Sequence, residues 1–262
     1  MFVSASQTPR AGCIRSGLQA NCFCHTHLSE GLPEVCGMAQ VPRLLPANAE
    51  LYRQGEEARY YYLLLDGWVG LRVTSSDGAL CLPDVALPGD LLGLRPGTAN
   101  VMAHTAYCLT ACSVCVLPRS EFDRLAATRP DLTAMLSTAV NKADERMLGH
   151  FINVSSRAAR ERVAHMMVEL FHRARGQLPR EIGDNLHVPL TLAEIGQALG
   201  LTSVHVSRTL RSLREEDILH FSRERMVVGQ PDALLRLAGI RQGAANRDSK
   251  EANGMLRESI VA

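Results

Sequence analysis

The apolar positions change their period along the chain, and that change divides it. From about residue 41 to residue 118 they come in short runs closed by turn residues. Tyr61–Leu65 ends at Asp66-Gly67, and Trp68–Val73 follows. Ser76-Asp77-Gly78 separates that run from Leu80–Leu87, and Pro88-Gly89-Asp90 precedes Leu91–Leu94. A last run, Cys108–Leu117, stops at Pro118. Short apolar runs at regular spacing, each closed by Gly, Pro or Asp, predict the strands of a small antiparallel barrel or sandwich.

Beyond Pro118 the period becomes helical. Ser120–Ala127 predicts a short helix ending before Arg129-Pro130. From Asp131, the residues Leu132, Met135, Leu136, Ala139, Val140, Ala143, Met147, Phe151 and Val154 recur at steps of three and four. That is one stripe along a helix about twice the ordinary ~11–12 residues. Such a stripe needs cover, from the chain's own barrel or from a parallel helix of a second copy. It outruns a small barrel, which favours a homodimer with Met135, Val140, Asp144, Met147 and Phe151 at the seam. A further helix, about Ala158–Arg175, carries Val163, Met166, Met167 and Leu170 on one face. The fold class expected is α+β. A Cys-containing segment (1–40) precedes a β-barrel (41–128), a dimerisation helix (129–154), a C-terminal domain (155–239) and a polar tail (240–262) expected to be disordered.

Within the C-terminal domain, Thr191 to Glu194 forms a T-x-x-E capping box at a helix start. Ile195 and Leu199 supply an inward face, and Gly200 ends the helix in a left-handed conformation. Thr202 caps a second helix, about Ser203 to Arg214, in which Val206, Leu210 and Leu213 point inward. Val204, Ser207, Arg208 and Arg211 fall on another face. Two short helices joined by a Gly turn, the second with small polar residues and arginines outside, suit the major groove of double-stranded DNA. Ile218–Phe221 and Met226–Val228 flank Ser222-Arg223-Glu224-Arg225 and predict a hairpin wing. Arg208 is suited by type to a bidentate pair with guanine, Ser207 to a base edge and Val204 to a thymine methyl. Thr202, Ser203, Arg211 and Arg225 suit phosphates. His205 suits either DNA or solvent. Glu215, Glu216 and Asp217 repel phosphate, so that end of the helix should point away from DNA.

Composition narrows the setting. The 262 residues, 46% hydrophobic, suffice for two packed domains. No apolar run of the ~20 residues a membrane span needs is present, and the N-terminus has no signal-peptide pattern, so a cytoplasmic location is expected. In a reducing cytosol, eight cysteines are not expected to form a disulfide framework. A net charge of +1 excludes little, since a DNA-binder needs a local basic face rather than a basic total. No nucleophile–base pair, Gly-rich phosphate loop or paired acidic motif stands out, which argues against an enzyme.

Barrel, long helix and winged helix-turn-helix, in that order, resemble the CRP/FNR family of bacterial transcription regulators over about residues 40–240. The resemblance rests on GEEARYYYLLLDGWVGL (55–71), LPGDLLGL (87–94), the long helix and LTLAEIGQALGLTSVHVSRTLRSLREEDIL (190–219). It implies a homodimer on palindromic DNA, RNA polymerase as partner, no membrane, and a barrel that senses a signal. Cyclic-AMP members carry Gly-Glu and Arg-Ser pairs in the barrel. LGLRPGTANVMAHTAYCL has neither, and Arg95 precedes a proline, so no cyclic AMP is expected.

FNR-type members hold a [4Fe-4S] cluster through three N-terminal cysteines and one in the last barrel strand. Here Cys13, Cys22, Cys24 and Cys36 precede the barrel, and Cys115 stands at the matching strand position. Thiolates are the soft ligands such a cluster requires. By resemblance, Cys13, Cys22, Cys24 and Cys115 are the candidate ligands, with oxygen or redox state as the signal. The spacing C-x8-C-x-C-x11-C departs from the FNR pattern, with Ser16 where its middle cysteine would stand. Metal-free cysteines, or zinc at Cys22, Cys24, His25 and His27, stay open beside the cluster. Cys81, Cys108 and Cys112 are expected to be buried apolar filler. The recognition helix keeps Ser207 and Arg208 of the FNR reading code, but Val204 replaces its acid.

Overall fold

A computed structural model describes residues 42–94 and 100–240. Cys13, Cys22, Cys24, Cys36, His25, His27, Arg95 and the tail beyond residue 240 lie outside the described residues. Eight strands come first: β1 (Arg43–Leu45), β2 (Glu50–Tyr52), β3 (Tyr60–Asp66), β4 (Val69–Thr74), β5 (Leu80–Ala86), β6 (Leu91–Leu92), β7 (Thr105–Cys108) and β8 (Cys112–Pro118). They form two four-stranded sheets, β1-β8-β3-β6 and β2-β7-β4-β5. Helices α1 (Arg119–Ala126) and α2 (Pro130–Ser156) follow.

The alternation of side chains on a strand explains the continuous apolar runs in β3 and β8. Tyr62 and Leu64 of β3, with Cys112, Val114 and Val116 of β8, enter one core with Val69, Leu71 and Ala106. Tyr61, Leu63, Leu65, Cys115 and Leu117 point the other way, into a core built with Phe122 and Ala126 of α1 and Leu132, Met135 and Ala139 of α2. Both faces of these two strands are therefore buried. Antiparallel pairing fixes their register, from Tyr60 opposite Pro118 to Leu64 opposite Val114.

Two expectations about this region change. The run Cys108–Leu117 is not one strand: it breaks at 109–111, and β7 and β8 lie in different sheets. Asp66-Gly67, which ends the run of β3, carries the chain from one sheet to the other. Cys108 and Cys112 are buried as expected, whereas Cys81 is exposed. Cys81 sits on β5, an edge strand, where one side lacks a neighbour to cover it.

The second half contains α3 (Ala159–Arg175), β9 (Asn185–His187), α4 (Leu192–Leu199), α5 (Ser203–Glu215), β10 (Leu219–Ser222), β11 (Arg225–Val228) and α6 (Pro231–Leu237). Its strands form a separate sheet in the order β10-β11-β9. Val163, Met167, Ile195, Leu199, Val206, Leu213, Leu219, Met226 and Leu234 are buried in its core. The described chain divides into two compact units, and the division falls inside α2. One unit runs up to Leu71 and includes Val85–Ala143, while the other takes Arg72–Asp84 and the chain from Asp144 onward.

Candidate nucleic-acid interface

Local chemistry builds the two-helix motif as its sequence predicts. The Thr191 hydroxyl accepts from the Glu194 backbone N–H at 3.2 Å, and the Glu194 carboxylate accepts from the Thr191 N–H at 2.8 Å. This reciprocal cap starts α4. Gly200 closes α4 in the left-handed region at φ 64°, which a side chain would disfavour. Gly196 has a different role: a Cβ there would stand 2.4 Å from the Leu201 carbonyl oxygen. Only a glycine lets the turn pass this close over α4. Arg162 of α3 then donates to the Leu199 carbonyl at 3.1 Å, tying the end of α4 to the rest of the domain.

Thr202 caps α5, its hydroxyl accepting from the His205 N–H at 3.2 Å. Val206, Thr209, Leu210 and Leu213 face inward and are buried. Thr202, Ser203, Val204, His205, Ser207, Arg208 and Arg211 are all exposed. Val204, a large apolar side chain, is 58% exposed on an otherwise polar face. Arg208 makes no hydrogen bond or ion pair with the described residues, so its guanidinium is available to a ligand. Arg211 pairs with Glu215 at 2.8 Å, one turn further on. That pair is well exposed and therefore weak, so a phosphate can compete for the arginine. The helix N-terminus adds unpaired N–H groups and a positive dipole beside Thr202 and Ser203.

The acidic end of α5 is turned to internal partners. The Glu216 carboxylate accepts from Arg160 of α3 at 2.7 Å and from Ser212 at 3.2 Å. The Arg160 hydrogen bond holds its carboxyl below the usual range. Asp217 meets His220 at 2.6 Å.

The wing is β10 and β11 joined by Arg223 and Glu224, both with positive φ, 49° and 60°. Two successive left-handed residues make the tight hairpin turn whose twist matches its strands, though with residues that adopt it reluctantly. Arg225 leaves the wing beside β9, and its guanidinium donates to the Asn185 side-chain oxygen at 3.1 Å. Neither Asn185 nor β9 figures in the sequence reading. The alternation Leu186, Val188, Leu190 was the available signal, and all three are buried.

The expected dimer seam divides. Met135 is buried in the chain's own core with Leu132 and Ala139, because it lies ~140° around α2 from Val140 at ~100° per residue. Val140 (37%), Met147 (48%) and Phe151 (66%) are exposed, as is Leu148 (54%), which the stripe had omitted. Asp144 is exposed among them. Of the candidate cluster ligands, only Cys115 is described, and it is buried with Tyr61, Leu63 and Phe122. No group of three potential metal ligands exists among the described residues.

Comparison with known proteins agrees with this architecture. Residues 42–129 match the family described as cyclic nucleotide-binding domain, and residues 161–237 match the Crp-like helix-turn-helix domain. The chain is 25% identical over 250 residues to the fumarate and nitrate reduction regulatory protein of Vibrio cholerae, covering 90% of this chain and 97% of that one. It is 28% identical to the transcriptional activatory protein AadR of Rhodopseudomonas palustris, covering 80% of this chain and 88% of that one. Among solved structures, FixK2 of Bradyrhizobium japonicum superposes with a TM-score of 0.68 at 26% identity, covering 76% of this chain and 96% of that one. The two matched domains together take in more than half of the sequence, and no described helix is long and apolar enough to cross a membrane. With both domains matched in this order and its relatives gene regulators rather than enzymes, the chain belongs to the CRP/FNR family of DNA-binding transcription regulators.

Proposed function

We propose that the chain binds a palindromic DNA site as a homodimer, with Ser207 and Arg208 reading base edges and Val204 meeting a thymine methyl. The exposed Val204–Ser207–Arg208–Arg211 face of α5 carries this reading. Thr202, Ser203 and Arg211 contact phosphates around the helix N-terminus, and Arg225 does so from the wing. Val140, Met147, Leu148 and Phe151 pair the two copies along α2, with Asp144 at the same seam as a charge that opposes the pairing, and their exposure in a single chain supports this. RNA polymerase is the further partner, and the cytoplasm the location. The test is binding of the full chain to a duplex that it selects from a random library. Affinity should fall steeply as salt rises and depend on sequence. Binding that ignores sequence would defeat the proposal.

For the signal, we propose oxygen or redox state, sensed through a [4Fe-4S] cluster on Cys13, Cys22, Cys24 and Cys115. The relatives named for fumarate and nitrate reduction support it. Such a cluster needs four thiolates, and the described residues contribute one, Cys115. A second reading is that the chain carries no metal and senses thiol oxidation or another ligand. The spacing C-x8-C-x-C-x11-C, with Ser16 where the middle cysteine of the FNR pattern would stand, favours it. Iron and sulfide analysis of anaerobically purified protein separates the two. About four iron per chain, lost in air together with a band near ~400 nm, supports the cluster. Iron-free protein leaves the metal-free reading. The cyclic nucleotide-binding match concerns the barrel fold, and the missing Gly-Glu and Arg-Ser pairs argue against cyclic AMP as ligand.

A further inference from the structure

One charge cluster, built from none of the DNA-facing residues, joins three elements. Asp84 of β5 accepts from Arg146 of α2 at 2.8 Å and from Arg173 of α3 at 3.3 Å. These side chains are poorly solvated, at 10% exposure for Asp84, 18% for Arg146 and 16% for Arg173. Glu169 lies 3.7 Å from Arg173, one turn back on α3. His150, one turn beyond Arg146, stands beside the same acids, and its burial lowers its pKa and keeps it neutral.

The cluster occupies a telling place. The segment Arg72–Asp84, which contains the β4–β5 turn, belongs to the same compact unit as the second part of α2 and the DNA-binding helices. Its strands nevertheless belong to the barrel sheet β2-β7-β4-β5. Arg146 and His150 continue the side of α2 that carries Leu132, Met135 and Ala139, away from the exposed stripe. α3 in turn holds the C-terminal ends of both helices of the DNA-reading motif, through Arg162 to Leu199 and Arg160 to Glu216.

We propose that Asp84 is a positioning residue for DNA binding: by bridging Arg146 and Arg173 it locks α3, and with it the recognition helix, to α2 and to the β4–β5 hairpin. Removing its charge deprives two poorly solvated arginines of the carboxylate that bridges them. Their repulsion separates α2 from α3, the hairpin loses its hold, and the orientation of α5 is no longer fixed.

This inference rests on the DNA-binding reading above, and the test keeps the two apart. Full-length wild type, Asp84→Asn, Asp84→Glu, Arg146→Gln and the Asp84→Asn/Arg146→Gln double variant are titrated onto a duplex selected by the wild type, at several salt concentrations. Asp84→Asn should weaken binding on the order of tenfold. The salt slope should stay unchanged, because no phosphate contact is lost. Asp84→Glu should recover most of the affinity, and the double variant should lose less than the two single losses combined. Hydrogen exchange should quicken over 72–84 and α3 in Asp84→Asn. Unchanged or tighter binding by Asp84→Asn, a reduced salt slope, or no recovery with Asp84→Glu overturns the proposal. If Asp84→Asn fails to fold, Arg146→Gln carries the same predictions alone. Failure of the wild type to bind any duplex defeats the DNA-binding reading instead.

Discussion

At the scale of single residues, Arg208 and Arg225 separate two kinds of contact. Arg208 is unpaired among the described residues and lies mid-face on α5, so Arg208→Ala should cost about 1–3 kcal/mol on the selected site and relax its preference at one base pair. Arg225 stands on the wing, steadied by Asn185. Arg225→Ala should instead weaken binding to all sequences and lower the salt slope by about one. Anisotropy titrations on matched and scrambled duplexes distinguish these outcomes. The wing tip offers a stability test of the same grain. Arg223 and Glu224 both adopt positive φ, where Asn-Gly is the favoured pair. The combined change Arg223→Asn and Glu224→Gly should raise stability by about 1 kcal/mol, read by denaturant unfolding.

Among the elements, α2 shows best what the sequence could and could not reveal. Its length and apolar period were legible because helical spacing persists from Leu132 to Phe151. That this apolar set is two faces was not, because Met135 and Val140 differ only by their angle around the axis. It takes the position of the barrel to tell which face is covered. The helix-turn-helix was read in detail because caps and turn residues act locally: Thr191, Glu194, Gly200 and Thr202 all do what their types dictate. Gly196 escaped notice, since its reason is the approach of Leu201 from beyond the turn. β9 was missed because three residues give too short a period to stand out. Asp84 was missed because its partners lie 62 and 89 residues away. Gly196→Ala should disrupt the turn and lower the thermal midpoint of the C-terminal domain by several degrees. On the exposed stripe, Asp144 sits among Val140, Met147, Leu148 and Phe151. Two such acids facing each other in a dimer repel. Asp144→Ala should therefore dimerise and bind DNA without the signal, as sedimentation would show, whereas Phe151→Asp should leave monomers.

For the molecule as a whole, pH reports on the packing around α3. His150, His165 and His172 all have pKa values lowered from the ordinary range, in each case chiefly by burial. The fold thus prefers the neutral imidazoles, while the unfolded chain takes up protons near pH ~6.5. Stability should be full above that pH and fall as the solution is acidified below it, with thermal melts between pH 8 and pH 5 as the check. A stability that rises on acidification would contradict the burial of these three side chains. Recognition helix, wing and stripe would act together when two copies bind a two-fold DNA site. The most direct test is the stoichiometry and salt dependence of the full chain on a selected duplex, measured together by sedimentation and anisotropy. Two chains per duplex are expected on half-sites about one helical turn apart, with affinity falling linearly in log–log form as salt rises. One chain per duplex, or equal affinity for a scrambled sequence, would contradict this reading.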